Sequence, residues 1–184
     1  MPFPAAAHSP IEGIEGFYSG LLHPVSTPAQ ALVLLAVGLM AGGFRPAEAR
    51  WPVGLYMTAV LGGVACGAYL TPAATAMFAT ALVAAAMAAL APGRGLSLAS
   101  CLAALGGASI GLLSLADPGP PMDRIVTSLG AVVGACIGLL YIFAFTRFVQ
   151  DRYTVDWVPV AFRVAAAWIA AVSLLMTLME FVPE

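Results

Sequence analysis

Few side chains in this sequence can do chemistry, and the scarcity singles out His23. It precedes Pro24 and is flanked by Leu21, Leu22 and Val25, inside a run, residues 16–44, that holds no Asp, Glu, Lys or Arg. Imidazole binds transition metals and relays protons, and an ionisable group at a membrane span is a functional candidate. A backbone carbonyl or a water satisfies such a histidine equally well. Two turns on, at i+7, Gln30 falls on the same helical face and offers a carbonyl oxygen or an amide donor. The other histidine, His8, lies in the N-terminal extension, so bis-histidine haem ligation is not expected. The sequence carries no nucleophile constellation, glycine-rich phosphate loop or haem-attachment motif, so neither an enzyme nor a resident cofactor is expected. Cys66, Cys101 and Cys136 each sit within an apolar run, without CxxC spacing, and read as buried packing residues.

The elements that must position these residues are membrane helices. Of 184 residues, 61% are hydrophobic and 9% charged, the latter being seven Arg, no Lys and nine Asp or Glu. Soluble domains carry about 25% charged residues, so this inventory cannot make a water-facing surface. A soluble enzyme, a nucleic-acid binder and a secreted disulfide scaffold are excluded, and the lipid bilayer is the first partner. The first ten residues lack a basic n-region and a long apolar h-region, so no signal peptide is expected.

About 20 apolar residues cross about 30 Å of hydrocarbon. On that basis the fold class is all-α and polytopic, with six spans near residues 27–44, 52–70, 72–91, 96–115, 125–146 and 157–181. The Tyr69-Leu70-Thr71-Pro72 break divides the long charge-free run 51–93 into two spans, because proline cannot continue a helix. Residues 1–26 then form an extracytoplasmic N-terminal segment and 27–184 one six-helix domain. Within the segment Ile11, Ile14, Phe17, Tyr18 and Leu21 share a face, as in an amphipathic stretch lying on the membrane surface or re-entering it.

Charge sets the orientation. Arg45, Arg50, Arg94, Arg147, Arg152 and Arg163 fall on one side of this topology and Arg124 alone on the other. By the positive-inside rule both termini face away from the cytoplasm, in a bacterial inner membrane. The outer side carries Glu12, Glu15, Asp117, Asp123, Glu180 and Glu184, an acidic mouth to which Asp117 and Glu180 are closest. On the inner side Arg147 and Arg163 are expected to snorkel to the headgroups, with Asp151 and Asp156 available as partners.

Small residues recur at four-residue spacing, as Gly63/Gly67, Gly107/Gly111 and Gly130/Gly134/Gly138, and mark helix-packing faces. Leu61-Gly62-Gly63-Val64-Ala65-Cys66-Gly67 also echoes Leu105-Gly106-Gly107-Ala108-Ser109-Ile110-Gly111, as a parallel duplication of a two-helix unit would.

Residues 16–42, GFYSGLLHPVSTPAQALVLLAVGLMAG, resemble the opening of the HupE/UreJ family of small bacterial membrane proteins. That family carries a His-Pro-x-x-Gly-x-Asp-His signature leading into an apolar helix ending in Ala-Val-Gly-Leu. Here His23-Pro24 and Ala36-Val37-Gly38-Leu39 match, while Thr27 replaces Gly and Ala29-Gln30 replaces Asp-His. A second family motif, Phe-His-Gly-x-Ala-His-Gly-x-Glu, falls on Leu105–Leu113, where glycines remain and the His and Glu do not. The resemblance implies a divergent member with nickel or cobalt as transported substrate and His23 in the place of a metal-coordinating residue. Two functions follow as expectations. One is a secondary permease for a divalent transition-metal cation, drawn in by the acidic mouth and passing His23 and Gln30. The other is a structural or assembly subunit, packed as a homo-oligomer or into a larger membrane complex through its glycine faces.

Overall fold

The structure, a computed structural model, describes residues 16–67, 74–114 and 121–181. Seven helices occupy them: α1 (Phe17–Ser26), α2 (Pro28–Gly42), α3 (Pro46–Cys66), α4 (Ala74–Leu90), α5 (Leu96–Leu113), α6 (Pro121–Arg152) and α7 (Trp157–Met179). No strand occurs among the described residues. By length and composition α5, α6 and α7 can each cross a membrane, and α1 with α2 makes a fourth candidate span, bent by 72°. The apolar helices and their exposed large side chains, Phe148 and Trp168 among them, mark a membrane protein.

Local chemistry explains the boundaries. Thr27 precedes Pro28, which disfavours helical geometry, and sits extended at φ −91°, ψ 116° between α1 and α2. Pro46 opens α3 at a first-turn position, and the Glu48 carboxylate accepts the Arg45 N–H at 3.4 Å. The helix therefore starts several residues ahead of the apolar stretch that marks its span. Gly93 and Gly95, both at φ +69°, make the tight turn between α4 and α5. At 32 residues α6 is about 48 Å long, and the expected span 125–146 is only its apolar middle.

At the centre lies α2, which packs on every other helix and buries ten of its fifteen residues. Around it the helices pair along glycine faces. A Cβ on Gly63 would strike the Ala108 carbonyl, one on Gly107 the Tyr56 carbonyl and one on Gly111 the Val60 carbonyl, so α3 and α5 lie backbone to backbone and run parallel. The two echoing segments are thus set against each other. Between α1 and α6 the same contact is made by Gly20 on the Thr127 carbonyl, Gly130 on the Phe17 carbonyl and Gly134 on the Leu21 carbonyl. Gly138 differs, meeting the Leu34 side chain, and Gly67 closes α3 with its N–H on the Val64 carbonyl.

Three expectations need correction. Of the two readings of the N-terminal segment, re-entry fits its described part better than lying on a surface: α1 packs along α6, because Gly20, Gly130 and Gly134 leave room for its backbone. Cys66 and Cys101 are exposed and Cys136 half-buried, since a residue apolar enough for a core is equally suited to face lipid. Arg163 donates from Nε to the Ala89 carbonyl at 2.7 Å, capping the C-terminal turn of α4, whereas Arg147 takes the expected partner Asp151 at 2.6 Å.

These contacts gather Gly43 against Gly93, Arg163 against Ala89, and Gly42 against Thr146 at one end of the bundle. Six of the seven arginines belong to that end, and Arg124, in the first turn of α6, belongs to the other. Glycine substitutions should separate packing from composition. Gly111→Val or Gly134→Val is expected to lower stability by about 3 kcal/mol or more through overpacking. Gly54→Ala and Gly62→Ala, where a Cβ meets nothing within 4 Å, should be neutral or stabilise by about 0.5–1 kcal/mol. Thermal unfolding in detergent followed by circular dichroism measures both.

Candidate functional site

The break between α1 and α2 sets His23 and the buried Gln30 on either side of Thr27. Pro24 and Pro28 bracket it, the first within α1 and the second opening α2. The His23 carbonyl accepts both the Thr27 N–H at 3.1 Å and the Ser26 hydroxyl at 3.2 Å, closing the last turn of α1. The Ser26 hydroxyl also reaches the Leu22 carbonyl at 3.1 Å. His23 itself is half-buried.

On the far side of the break, α2 begins without a side-chain cap. First-turn N–H groups have no acceptor within their own helix, and Pro28 has none to offer, so the N–H groups of Ala29 and Gln30 carry the positive end of the α2 dipole. Gln30 is 0% exposed, and neither its Oε1 nor its Nε2 has a hydrogen-bond partner. A buried polar group left unpaired costs about 1–3 kcal/mol. In a bundle built mostly from Ala, Val, Leu and Gly, such a residue calls for a polar partner, a water, an ion or a solute.

Register places further groups at the same height. Along the parallel α2–α6 contact, Leu34 lies against Gly138, Gly38 against Ile142 and Gly42 against Thr146. One turn earlier the same register sets Gln30 level with Gly134. There the Leu21 carbonyl of α1 touches Gly134, and the adjacent Ala135 carbonyl accepts the Tyr56 hydroxyl at 3.4 Å. Tyr56 is fully buried, and its bond is long for an O–H donor, so the hydroxyl is weakly held. On α7, Ser173 is likewise buried with its hydroxyl unpartnered.

The structure thus brings His23 and Gln30 to the two sides of one helix break. Glu180 is not drawn in: it is exposed at the end of α7, a helix that packs chiefly on α4. Asp117 lies outside the described residues. Among the described residues no group of three or more His, Cys, Asp or Glu side chains gathers to hold a metal. The site offers one imidazole, one carboxamide, a phenol and backbone groups freed by the break. That donor set can exchange hydrogen bonds with a small polar solute, or replace a few waters of a hydrated cation in transit. Tight multidentate chelation needs more donors in fixed geometry.

Sequence reasoning missed Tyr56 and Ser173. A lone tyrosine or serine in an apolar helix signals nothing until its neighbours are known. Gln30 was found through its i+7 spacing from His23, although the 72° bend means that the two do not share one helical face.

Comparison with protein-family models, with curated proteins and with solved structures finds no match.

Whether Gln30 serves folding or a ligand is measurable from stability alone. Gln30→Leu removes two unpaired polar atoms at similar volume, so the variant should be as stable as the parent or more stable by about 1–2 kcal/mol. Loss of more than about 1 kcal/mol in thermal unfolding would show that the amide is structural.

Proposed function

We propose that the chain is a six-span inner-membrane permease with both termini outside the cytoplasm, carrying a divalent transition-metal cation, nickel or cobalt, through the break between α1 and α2. The observation that carries this reading is Gln30, fully buried and unpaired beside the interrupted first span. Many transporters place their sites at discontinuous helices, where freed backbone groups and helix ends meet the substrate. The likeness of residues 16–42 to the HupE/UreJ opening supplies the substrate class. In the six-span count α3, of 21 residues, and α4, a largely apolar helix of 17, join the candidate spans because both pack within the same bundle. The arginine-rich end faces the cytoplasm by the positive-inside rule, and its exposed Trp51, Tyr153 and Trp157 suit a headgroup belt.

In this mechanism the cation sheds part of its water at His23, takes the Gln30 carbonyl oxygen and backbone carbonyls as substitutes, and moves inward along α2. With so few donors it is held weakly, as rapid passage requires. A second reading, a scaffold subunit of a larger complex, is favoured by the lack of a multidentate metal cluster among the described residues.

Uptake measurements decide between them. Cells expressing the protein should accumulate labelled nickel or cobalt above background, and His23→Ala and Gln30→Leu should each cut the rate several-fold at unchanged protein level. Equal uptake by parent and both variants would sink the permease, and co-purification of a stoichiometric partner in mild detergent would then favour the scaffold.

A further inference from the structure

A groove of about 440 Å³ opens on the lipid-facing side of the bundle between α3 and α6, at the end where α6 begins. Its walls are Leu61 and Val64 from α3 and Ile125, Leu129 and Val132 from α6, with Ser128 a polar wall residue among them and Arg124 at the end where α6 begins. The α6 residues recur at three- and four-residue spacing, so they form one stripe parallel to the helix axis. From Arg124 to Val132 that stripe runs about 12 Å, from a cationic end, past Ser128, to Leu129 and Val132. The opposite face of α6, through Gly130 and Gly134, is covered by α1. On the groove side α3 and α6 touch only lightly, which leaves the cleft open.

Arg124 is anomalous in two respects. It stands at the opposite end of the bundle from the other six arginines. It is exposed, and the ion pair among the described residues belongs to Arg147 and Asp151 instead. Asp123 is its chain neighbour, and successive residues on a helix do not face each other. Among the described residues no carboxylate pairs with this guanidinium, and such a group is suited to a phosphate, which it can grip through two parallel N–H donors.

We propose that this groove is a binding site for an anionic membrane phospholipid, with one acyl chain lying between α3 and α6 and the headgroup phosphate on Arg124. The polarity of the cleft matches that of the lipid: the charge sits where the headgroup plane lies, and the apolar walls extend toward the bilayer interior. An acyl chain there fills a gap that no side chain among the described residues closes, joining the α3–α5 pair to the α1–α6 pair. Charge complementarity selects the occupant, since a zwitterionic headgroup brings its own cation to Arg124 and an anionic one does not.

The test uses the full chain purified in mild detergent and equilibrated with equal amounts of dioleoylphosphatidylglycerol and dioleoylphosphatidylcholine. Bound lipid is counted by native mass spectrometry. The parent should retain the glycerol lipid several-fold over the choline lipid. Arg124→Gln should abolish that preference, and Leu129→Trp, which fills the cleft and leaves the charge, should reduce retention of both lipids several-fold. Arg152→Gln, at the other end of α6, should behave as the parent. Unchanged preference in Arg124→Gln, or unchanged retention in Leu129→Trp, overturns the site. Displacement of the glycerol lipid by millimolar inorganic phosphate would also overturn it, by showing a bare anion site. Should Arg124→Gln fail to yield folded protein, Leu129→Trp decides.

Discussion

The contact on which this bundle depends is glycine Cα pressed against the backbone of a neighbouring helix, at Gly20, Gly130 and Gly134 between α1 and α6 and at Gly63, Gly107 and Gly111 between α3 and α5. In lipid the hydrophobic effect gives helices no reason to prefer one another over acyl chains, so association rests on close van der Waals packing. Glycine permits the closest approach, and here the backbones meet with no side chain between them. Between these pairs α2 packs chiefly on α4 and α6. Its own Gly38 and Gly42 extend the same logic against Ile142 and Thr146 of α6.

A bundle packed this tightly makes a polar intruder conspicuous. Gln30 occupies a fully buried position on the most enclosed helix, and neither end of its amide is paired. Ser114 and Thr146, also buried, satisfy their hydroxyls on carbonyls one turn back in their own helices, at 2.8 Å each. A glutamine amide in the first turn of α2 has no such recourse, because the chain bends at Thr27 and carries the preceding carbonyls away. The break that frees the α2 N-terminus and the residue left without a partner are therefore one feature.

Arg163 shows how the rest is fastened. In the linear chain it looks like a headgroup-seeking cation. In the fold it bonds Ala89 across the bundle and completes the C-terminal turn of α4. The end of a short, alanine-rich helix thereby gains a charged hydrogen bond, and α7, whose outer face is largely exposed, gains a polar anchor as well as its Ala166 and Ser173 contacts.

Composition and hydropathy alone determined that the protein is all-helical and suited to a membrane, roughly where its helices lie, and which glycines are candidates for packing. These are local properties: an apolar run, a proline, a Gly-x-x-x-Gly spacing. His23 and Gln30 were legible for the same reason, as rare polar groups in an apolar stretch. Only the tertiary structure decided that Cys66 and Cys101 face outward, that α1 joins the bundle along α6, that Gly138 meets a side chain where Gly134 meets a backbone, and that Tyr56 reaches Ala135. Each of these depends on which face of a helix meets another helix. In a membrane segment every face is apolar, so hydrophobic periodicity, which orients a helix in a soluble protein, carries almost no information about which side turns inward.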